Sequence, residues 1–121
     1  MVAALVFTIP VKVVSTANLR ENRFVRAKRT AGHRDAARAH ALKWLSPELR
    51  AAPAWDVSLV RIGRGQLDDD NLAGAFKAIR DGIAKALGVD DGDRTRVRFF
   101  YGQRTGGEPA AEIKIEGRQA G

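Results

Sequence analysis

Two acidic clusters flank one short segment of the chain. Asp68, Asp69 and Asp70 open it, and Asp90 and Asp91 close it, in a protein whose formal net charge is +7. In an extended backbone, Asp68 and Asp70 point to the same side and Asp69 points away. Adjacent carboxylates repel each other, and a bound cation relieves that repulsion. Two interpretations are open at this point: a divalent metal site, or a helix cap at Asp70 accompanied by solvated charge.

The residue types in the chain indicate which ion such a site would bind. The chain has no cysteine and two histidines, His33 and His40, which have no nearby Glu or Cys to complete a zinc site. Carboxylate ligands alone favour Mg²⁺ or Mn²⁺. The calcium-loop pattern D-x-[DN]-x-[DN]-G-x5-E is not matched at either cluster. No G-x-x-x-x-G-K-[ST] motif occurs either, so no nucleotide cofactor is expected.

A strand is expected before the first cluster and a helix after it. Residues 55–62 (WDVSLVRI) alternate as a strand does. Residues 71–87 carry apolar side chains at spacings of three and four, which is the strongest helix signal in the chain. Gly88 is expected to cap that helix in the left-handed conformation. The second cluster can reach the first only if the chain turns back after Gly88 into a third strand, residues 95–104.

The remaining residues predict a small α+β domain. Residues 3–14 are expected to form the first strand and residues 31–46 the first helix. Residues 15–30 are expected to be a basic, mobile loop. The sequence TGGEP predicts a hairpin turn before a short last strand, and residues 117–121 are expected to be a frayed tail. The predicted order is β-α-β-α-β-β, with helices packed on a mixed sheet in one domain, residues 1–121.

Composition limits the classes of function. The chain has 121 residues, of which 45% are hydrophobic and 29% charged, and this favours one folded domain with a core. The basic charge suggests a polyanionic partner: nucleic acid, or less often an anionic membrane surface. The apolar opening VAALVFTIPVKVV is too short to span a bilayer and has no basic leader, so neither a membrane span nor a signal peptide is expected. The lack of cysteine fits a reducing cytoplasm.

Four features follow one another along the chain. They are the run DDDNL, an amphipathic helix carrying K-x-x-x-D, a later DD pair and an antiparallel hairpin. This order resembles the RusA family of Holliday junction resolvases, which are small endonucleases of bacteria and their phages. The resemblance is specific between Asp68 and Asp91. It implies a RusA-like fold and a cytoplasmic homodimer that needs Mg²⁺ or Mn²⁺. Such an enzyme places paired symmetric nicks in four-way DNA junctions during recombination and repair.

The resemblance also implies roles for individual residues. Asp68, Asp70 and Asp91 would hold the metal and form the catalytic site. Lys77 would join them, either offsetting charge on the scissile phosphate or orienting water. The family's usual spacing places this lysine three residues after the asparagine, where the present chain has Gly74.

The position of Lys77 is open to two interpretations. A three-residue insertion between Leu72 and Lys77 would preserve the family's K-x-x-x-D spacing to Asp81, a candidate supporting residue. Lys77 would then lie on the same side of the helix as Asp70, roughly 10 Å along the axis, and its long side chain could approach the metal. Alternatively, Lys77 pairs with Asp81 on a solvated helix face.

Supporting residues and DNA contacts complete the predicted site. Asn71 either positions the Asp70 side chain or only starts the helix, and Asp69 and Asp90 either assist the metal site or face solvent. Several basic side chains could hold backbone phosphates, or instead form solvent-exposed faces of their own elements. They are Arg20, Arg23, Arg26, Lys28, Arg29, Arg64, Arg94, Arg96, Arg98 and Arg104.

Two other functions are compatible with the sequence. The same fold could bind DNA or RNA without cleaving it, because the family lysine is displaced. The chain could also be a basic protein-interaction or ribosome-associated domain whose acids merely cap a helix. Convergence of Asp91 on Asp68 and Asp70 would favour the first two functions over the third.

Overall fold

Strands and helices alternate along most of the chain in the computed structural model, which describes residues 3–15 and 21–119. The strands are β1 (Ala4–Ile9), β2 (Ala54–Gly63), β3 (Val97–Thr105) and β4 (Ala110–Arg118). The helices are α1 (Arg23–Trp44), α2 (Pro47–Arg50), α3 (Asp69–Ala75) and α4 (Lys77–Leu87). The prediction of one small α+β domain is confirmed.

The strands form one mixed sheet in the order β1-β4-β2-β3. β2 pairs in parallel with β3 and antiparallel with β4, and β4 pairs antiparallel with β1. A parallel pair needs a crossover connection, which α3 and α4 provide between β2 and β3. β3 is therefore an edge strand of the described sheet, and it borders the segment that carries both acidic clusters.

Helices α1 and α4 pack together over a sheet face of alternating apolar side chains. Trp55, Val57 and Leu59 of β2 are almost fully buried on that face, as the alternation predicts. The two helices approach very closely at Gly82, where an added Cβ would lie 2.2 Å from the carbonyl oxygen of Arg34. Gly82 is therefore required for this packing, and any larger side chain would push α4 away from α1.

Helix α1 begins earlier than the sequence predicts. It starts at Arg23, and the side chain of Asn22 caps it by accepting a hydrogen bond of 2.9 Å from the Val25 amide. The prediction of a mobile loop over residues 15–30 is therefore wrong for residues 23–30, while residues 16–20 lie outside the described part. Residues 23–28 are all exposed, so they show no apolar period. Their start is instead marked by the asparagine cap.

The predicted helix over residues 71–87 is two helices. Phe76 separates α3 from α4, with φ −92° and ψ 0°, and its amide bonds to the carbonyls of Ala73 and Gly74. Phe76 is fully buried at this break, and Gly74 weakens the continuation of the helix. The left-handed cap at Gly88 is confirmed, with φ 75°.

The ends of strands β1 and β4 and the connection into β4 differ from the sequence-based prediction. β1 ends at Ile9, before Pro10, instead of running on to residue 14. Gly106 and Gly107, both with positive φ, connect β3 to β4. The prediction of a hairpin is wrong, because β2 lies between β3 and β4 in the sheet and pairs with both of them. β4 runs through Arg118, so the prediction of a frayed tail is wrong for residues 117 and 118. Residues 120 and 121 lie outside the described part.

No helix among residues 3–15 and 21–119 combines the length and apolar character needed to cross a membrane.

Candidate functional site

Gln103 of β3 fixes the backbone immediately before the first acidic cluster. Its amide nitrogen donates to the carbonyl oxygen of Leu67 at 2.7 Å, and its carbonyl oxygen accepts from the Leu67 amide at 3.0 Å. This two-way bond ties the start of α3 to the edge strand. Sequence reasoning missed Gln103, because nothing in the sequence shows that β3 passes beside residue 67.

Arg61 of β2 holds the same loop from inside the protein. Its side chain is buried, and its described hydrogen bonds all go to backbone carbonyls rather than to a carboxylate. They join Nε to Val13 at 2.9 Å, Nη2 to Arg64 at 3.0 Å and Nη1 to Gly65 at 3.3 Å. The strand alternation gave a usable signal, because it places Arg61 on the same side as Leu59, facing the core. The Arg64 side chain itself is exposed.

The first acidic cluster forms the cap and first turn of α3. Asp68, not Asp70, is the N-cap: its Oδ1 accepts a hydrogen bond of 2.9 Å from the Asn71 amide. The prediction of a cap at Asp70 is wrong because the helix begins at Asp69 rather than at Asn71. All three aspartates are exposed. None of them forms an ion pair with the basic side chains that the structure describes.

The second acidic cluster folds back against α4, because the chain turns after Gly88 as predicted. Asp91 Oδ2 accepts a hydrogen bond of 3.1 Å from Nε of Arg80. The Nη1 atom of Arg80 donates to the Tyr101 hydroxyl at 2.9 Å. The same guanidinium lies 5.9 Å from the centre of the Phe99 ring. Arg80 is thus held on one side by the loop that carries Asp90 and Asp91, here called the acidic loop, and on the other side by β3.

Neighbouring carboxylates and one arginine set the ionisation of Asp91. Burial raises the pKa of the Asp91 carboxyl, but hydrogen bonding with the neighbouring Asp81 side chain and the positive charge of the Arg80 guanidinium outweigh burial and hold it below its ordinary value. Asp90 lies beside it and accepts a hydrogen bond of 3.1 Å from the Gly92 amide. Asp91 is therefore charged at neutral pH and attracts Arg80 fully.

Lys77 adopts the second of its two predicted arrangements. Its Nζ atom lies 3.6 Å from Oδ2 of Asp81, one helical turn away, and its side chain is 68% exposed. The side chains that line the cleft beside Arg80 do not include Lys77.

A cleft of about 520 Å³ lies between α3, the acidic loop and β3. Ala73, Arg80 and Asp91 line it, together with Arg94, Arg98 and the aromatic side chains of β3. Asp70 precedes Ala73 by three residues and so shares its face of α3. The second cluster therefore lines the cleft through Asp91, together with three arginines, whereas the first cluster lies one helical turn before the lining residue Ala73.

The carboxylates have the right chemistry for Mg²⁺ or Mn²⁺ but are not gathered around one point. No group of three Asp, Glu or His side chains in residues 3–15 and 21–119 could hold a metal ion as arranged. Asp68 uses one oxygen for the helix cap, and Asp91 uses one for Arg80. Each of these two carboxylates keeps a second oxygen, so the donor set suits a hard divalent cation.

The strand arginines predicted as DNA contacts are engaged in bonds of their own. Arg98 forms two hydrogen bonds with Asp56, at 2.8 and 3.0 Å. Arg104 pairs with Glu112 at 3.2 Å. Arg96 donates to a backbone carbonyl before β2 at 2.7 Å. These contacts connect β3 to neighbouring parts of the exposed sheet face, as expected for the solvent-facing side of a strand.

The first turns of α1 form an exposed basic arm, residues 23–28. Glu21 partly neutralises it by pairing with Arg29 and, at 3.6 Å, with Arg26. Phe24 on the arm is 73% exposed. The predicted DNA contacts in this region are Arg23, Arg26, Lys28 and Arg29. Arg20, predicted with them, lies outside the described residues.

Comparison of the sequence with models of known protein families gives no match, and comparison with curated proteins gives no significant relative. The resemblance to the RusA family stays a prediction.

Proposed function

We propose that this protein is a Mg²⁺-dependent, structure-selective endonuclease that resolves four-way DNA junctions by paired symmetric hydrolysis, as RusA-type enzymes do. One observation carries the proposal. The cleft beside β3 is lined by Asp91 and three arginines, and its lining residue Ala73 lies one helical turn after Asp70. Carboxylates that can bind a divalent cation, next to guanidinium groups that can bind a phosphate, are the combination that phosphodiester hydrolysis needs.

The proposed division of labour follows from residue chemistry. Asp68, Asp70 and Asp91 would hold the ion, which when bound activates water and steadies the charge that develops on the phosphate. Arginine forks bind phosphate oxygens through paired N–H donors. The basic side chains in and around the cleft would offset the repulsion between DNA and the aspartates, and this attraction would weaken as salt increases.

The proposed enzyme would act as a homodimer on a polyanionic substrate in the cytoplasm. The described part of each chain provides one such cleft, so paired nicks in two strands need two copies, which implies a homodimer. The formal net charge of +7 favours a polyanionic substrate. The setting would be the cytoplasm of a bacterium, with the protein encoded by the host or by a phage.

A specific observation favours a second function, the binding of nucleic acid without cleavage. Asp91 is engaged by Arg80, and Lys77 is engaged by Asp81. A protein in which these two pairs persist on DNA would bind a junction but would lack the lysine, and Asp91 would have only one oxygen left for a metal.

Cleavage of a labelled synthetic four-way junction separates the two functions. The junction is incubated with Mg²⁺ and with EDTA, beside a linear duplex of matching sequence. Paired symmetric nicks in the junction alone, lost in EDTA, are the expected result. Tight binding without any nick would replace the proposal with the second function, and no binding at all would eliminate both.

A further inference from the structure

Arg80 has a more constrained environment than the other cleft arginines. Its side chain is 26% exposed, and Asp91, Tyr101 and Phe99 each contact a different part of it. Burial lowers the pKa of the guanidinium, but the contacts with Tyr101 and Asp91 outweigh burial and raise it. Arg80 is therefore a fixed positive charge inside the cleft.

The contacts of Arg80 leave part of its donor fork free for a ligand. Asp91 engages Nε and Tyr101 engages Nη1, while Nη2 makes no hydrogen bond within the described residues. Nη2 is also not among the buried polar atoms that lack a partner there. An arginine has five N–H donors, so donors on Nη1 and Nη2 remain for a tetrahedral anion.

Two other candidate cations already have partners of their own. Arg98 already forms two hydrogen bonds with Asp56. Lys77 is not among the cleft residues and pairs with Asp81 on an exposed face. Arg80 is the lining cation that contacts a proposed metal-binding carboxylate directly.

We propose that Arg80 binds one backbone phosphate of the nucleic acid in this cleft, and that Tyr101 is the residue that positions its guanidinium. The inference rests on the proposed function, since it assumes that the cleft receives nucleic acid. It assigns to Arg80 the cationic role that the family resemblance assigns to Lys77. The bond to Asp91 keeps that cation beside the second acidic cluster.

The salt dependence of DNA binding tests the proposal without requiring cleavage. Affinity for a fluorescent four-way junction is measured in EDTA at several salt concentrations for the wild type and for Arg80→Gln. Loss of one phosphate contact lowers the slope of log K against log[salt] by about 0.9. Lys85→Gln is the matched control: it removes one positive charge from the same helix, outside the cleft, and we expect it to keep the wild-type slope.

Further variants separate phosphate binding from a purely structural role. Arg80→Lys keeps the charge, and we expect it to restore the slope. Tyr101→Phe is expected to weaken binding, but to add nothing when combined with Arg80→Gln, because Tyr101 acts through Arg80. An additive loss in the double variant would overturn the positioning role of Tyr101.

The outcomes distinguish failure of this inference from failure of the proposed function. A folded Arg80→Gln protein with the wild-type slope would overturn the inference and leave the endonuclease proposal intact. Absence of junction binding by the wild type would overturn both. If Arg80→Gln does not fold, the side-chain NMR resonance of Arg80 in the wild type decides: a shift on adding the junction is expected, and no shift at saturation overturns the inference.

Discussion

The two acidic clusters have the same residue type and different surroundings. Asp68, Asp69 and Asp70 are exposed at the start of α3, and the described basic residues form no ion pair with them. Asp91 is half-buried after α4 and holds Arg80, which in turn reaches Tyr101. The first cluster keeps its negative charge uncompensated, whereas the second has been partly neutralised by the fold.

This difference indicates that the two acidic clusters have different roles. At the second cluster, carboxylate charge fastens the returning loop to α4 and fixes a cation inside the cleft. At the first cluster, three neighbouring carboxylates remain available, and uncompensated negative charge of this kind is stabilised by a bound cation. The following predictions test whether the two clusters do differ in this way.

Asp70→Asn should have the largest effect on function. We expect cleavage of a four-way junction to fall on the order of 100-fold or more, because a proposed metal ligand is lost. Binding of the junction should stay the same or become tighter, since one repulsive charge is removed. Gel assays of nicking and anisotropy titrations measure the two quantities. Full nicking activity in this variant would remove the metal assignment from the first cluster.

Gln103→Ala should show that the first cluster depends on its support from β3. The variant loses both hydrogen bonds to Leu67, so the start of α3 is no longer held at the cleft. We expect the cleavage rate to fall roughly tenfold, because losing one to two hydrogen bonds weakens the positioning of the first cluster by a comparable free energy. Junction affinity should change much less, and that contrast is read from nicking rates at saturating protein. Equal losses in binding and cleavage would argue against a positioning role.

Asp91→Asn should reduce stability, in contrast to Asp70→Asn. The Arg80–Asp91 pair is about three-quarters shielded from solvent, and losing it should cost about 1 kcal/mol in urea unfolding. Asp70→Asn should cost only a few tenths of a kcal/mol, through the helix dipole. A double-mutant cycle with Arg80→Gln isolates the pair. Equal stability losses at Asp70 and Asp91 would mean that the two clusters do not differ.

Asp56 provides a reference for a carboxylate that is fully paired. The hydrogen bond from Arg98, together with Arg118, outweighs burial and lowers its pKa. A lowered pKa in the folded state means that the stabilisation is complete above the unfolded pKa, near 4, and is lost as the pH falls through the folded value. Asp56→Asn should therefore lower Tm by a few degrees at pH 7 and much less in acid. A constant difference in Tm between pH 7 and pH 2 would contradict this.

Lys77→Ala should have the smallest effect. Lys77 is exposed and pairs with Asp81, so its removal should slow cleavage less than about threefold. The loss should be clearly smaller than that caused by Arg80→Gln, measured side by side at the same salt concentration. A loss as large as that of Asp70→Asn would return the catalytic role to Lys77.

Periodicity in the sequence predicted the elements that bury a face. The alternation of β2, the apolar spacing of α4 and the glycine cap at Gly88 all follow from local patterns, and all are confirmed. The exposed start of α1 has no such pattern, because all its sides face solvent. The break at Phe76 depends on burying one ring against the sheet, which no local rule shows.

Only part of the candidate site could be predicted from the sequence. The run of aspartates after a strand marked the first cluster, and the turn at Gly88 predicted the return of the second. Arg80, Gln103 and Tyr101 could not be found in this way, since each matters only because β3 runs beside α3 and α4. A long-range strand neighbour, not a spacing along the chain, brings them to the acids.

The most direct test of the account is Mn²⁺ binding in the absence of DNA, followed by calorimetry or by electron paramagnetic resonance. The wild type, Asp70→Asn and Asp56→Asn are compared at neutral pH. If Asp70 is a metal ligand, the wild type and Asp56→Asn bind Mn²⁺ alike, and Asp70→Asn binds at least about tenfold more weakly. Equal binding by all three proteins would show that the acids of α3 do not hold a cation, and would contradict the assignment of the first cluster.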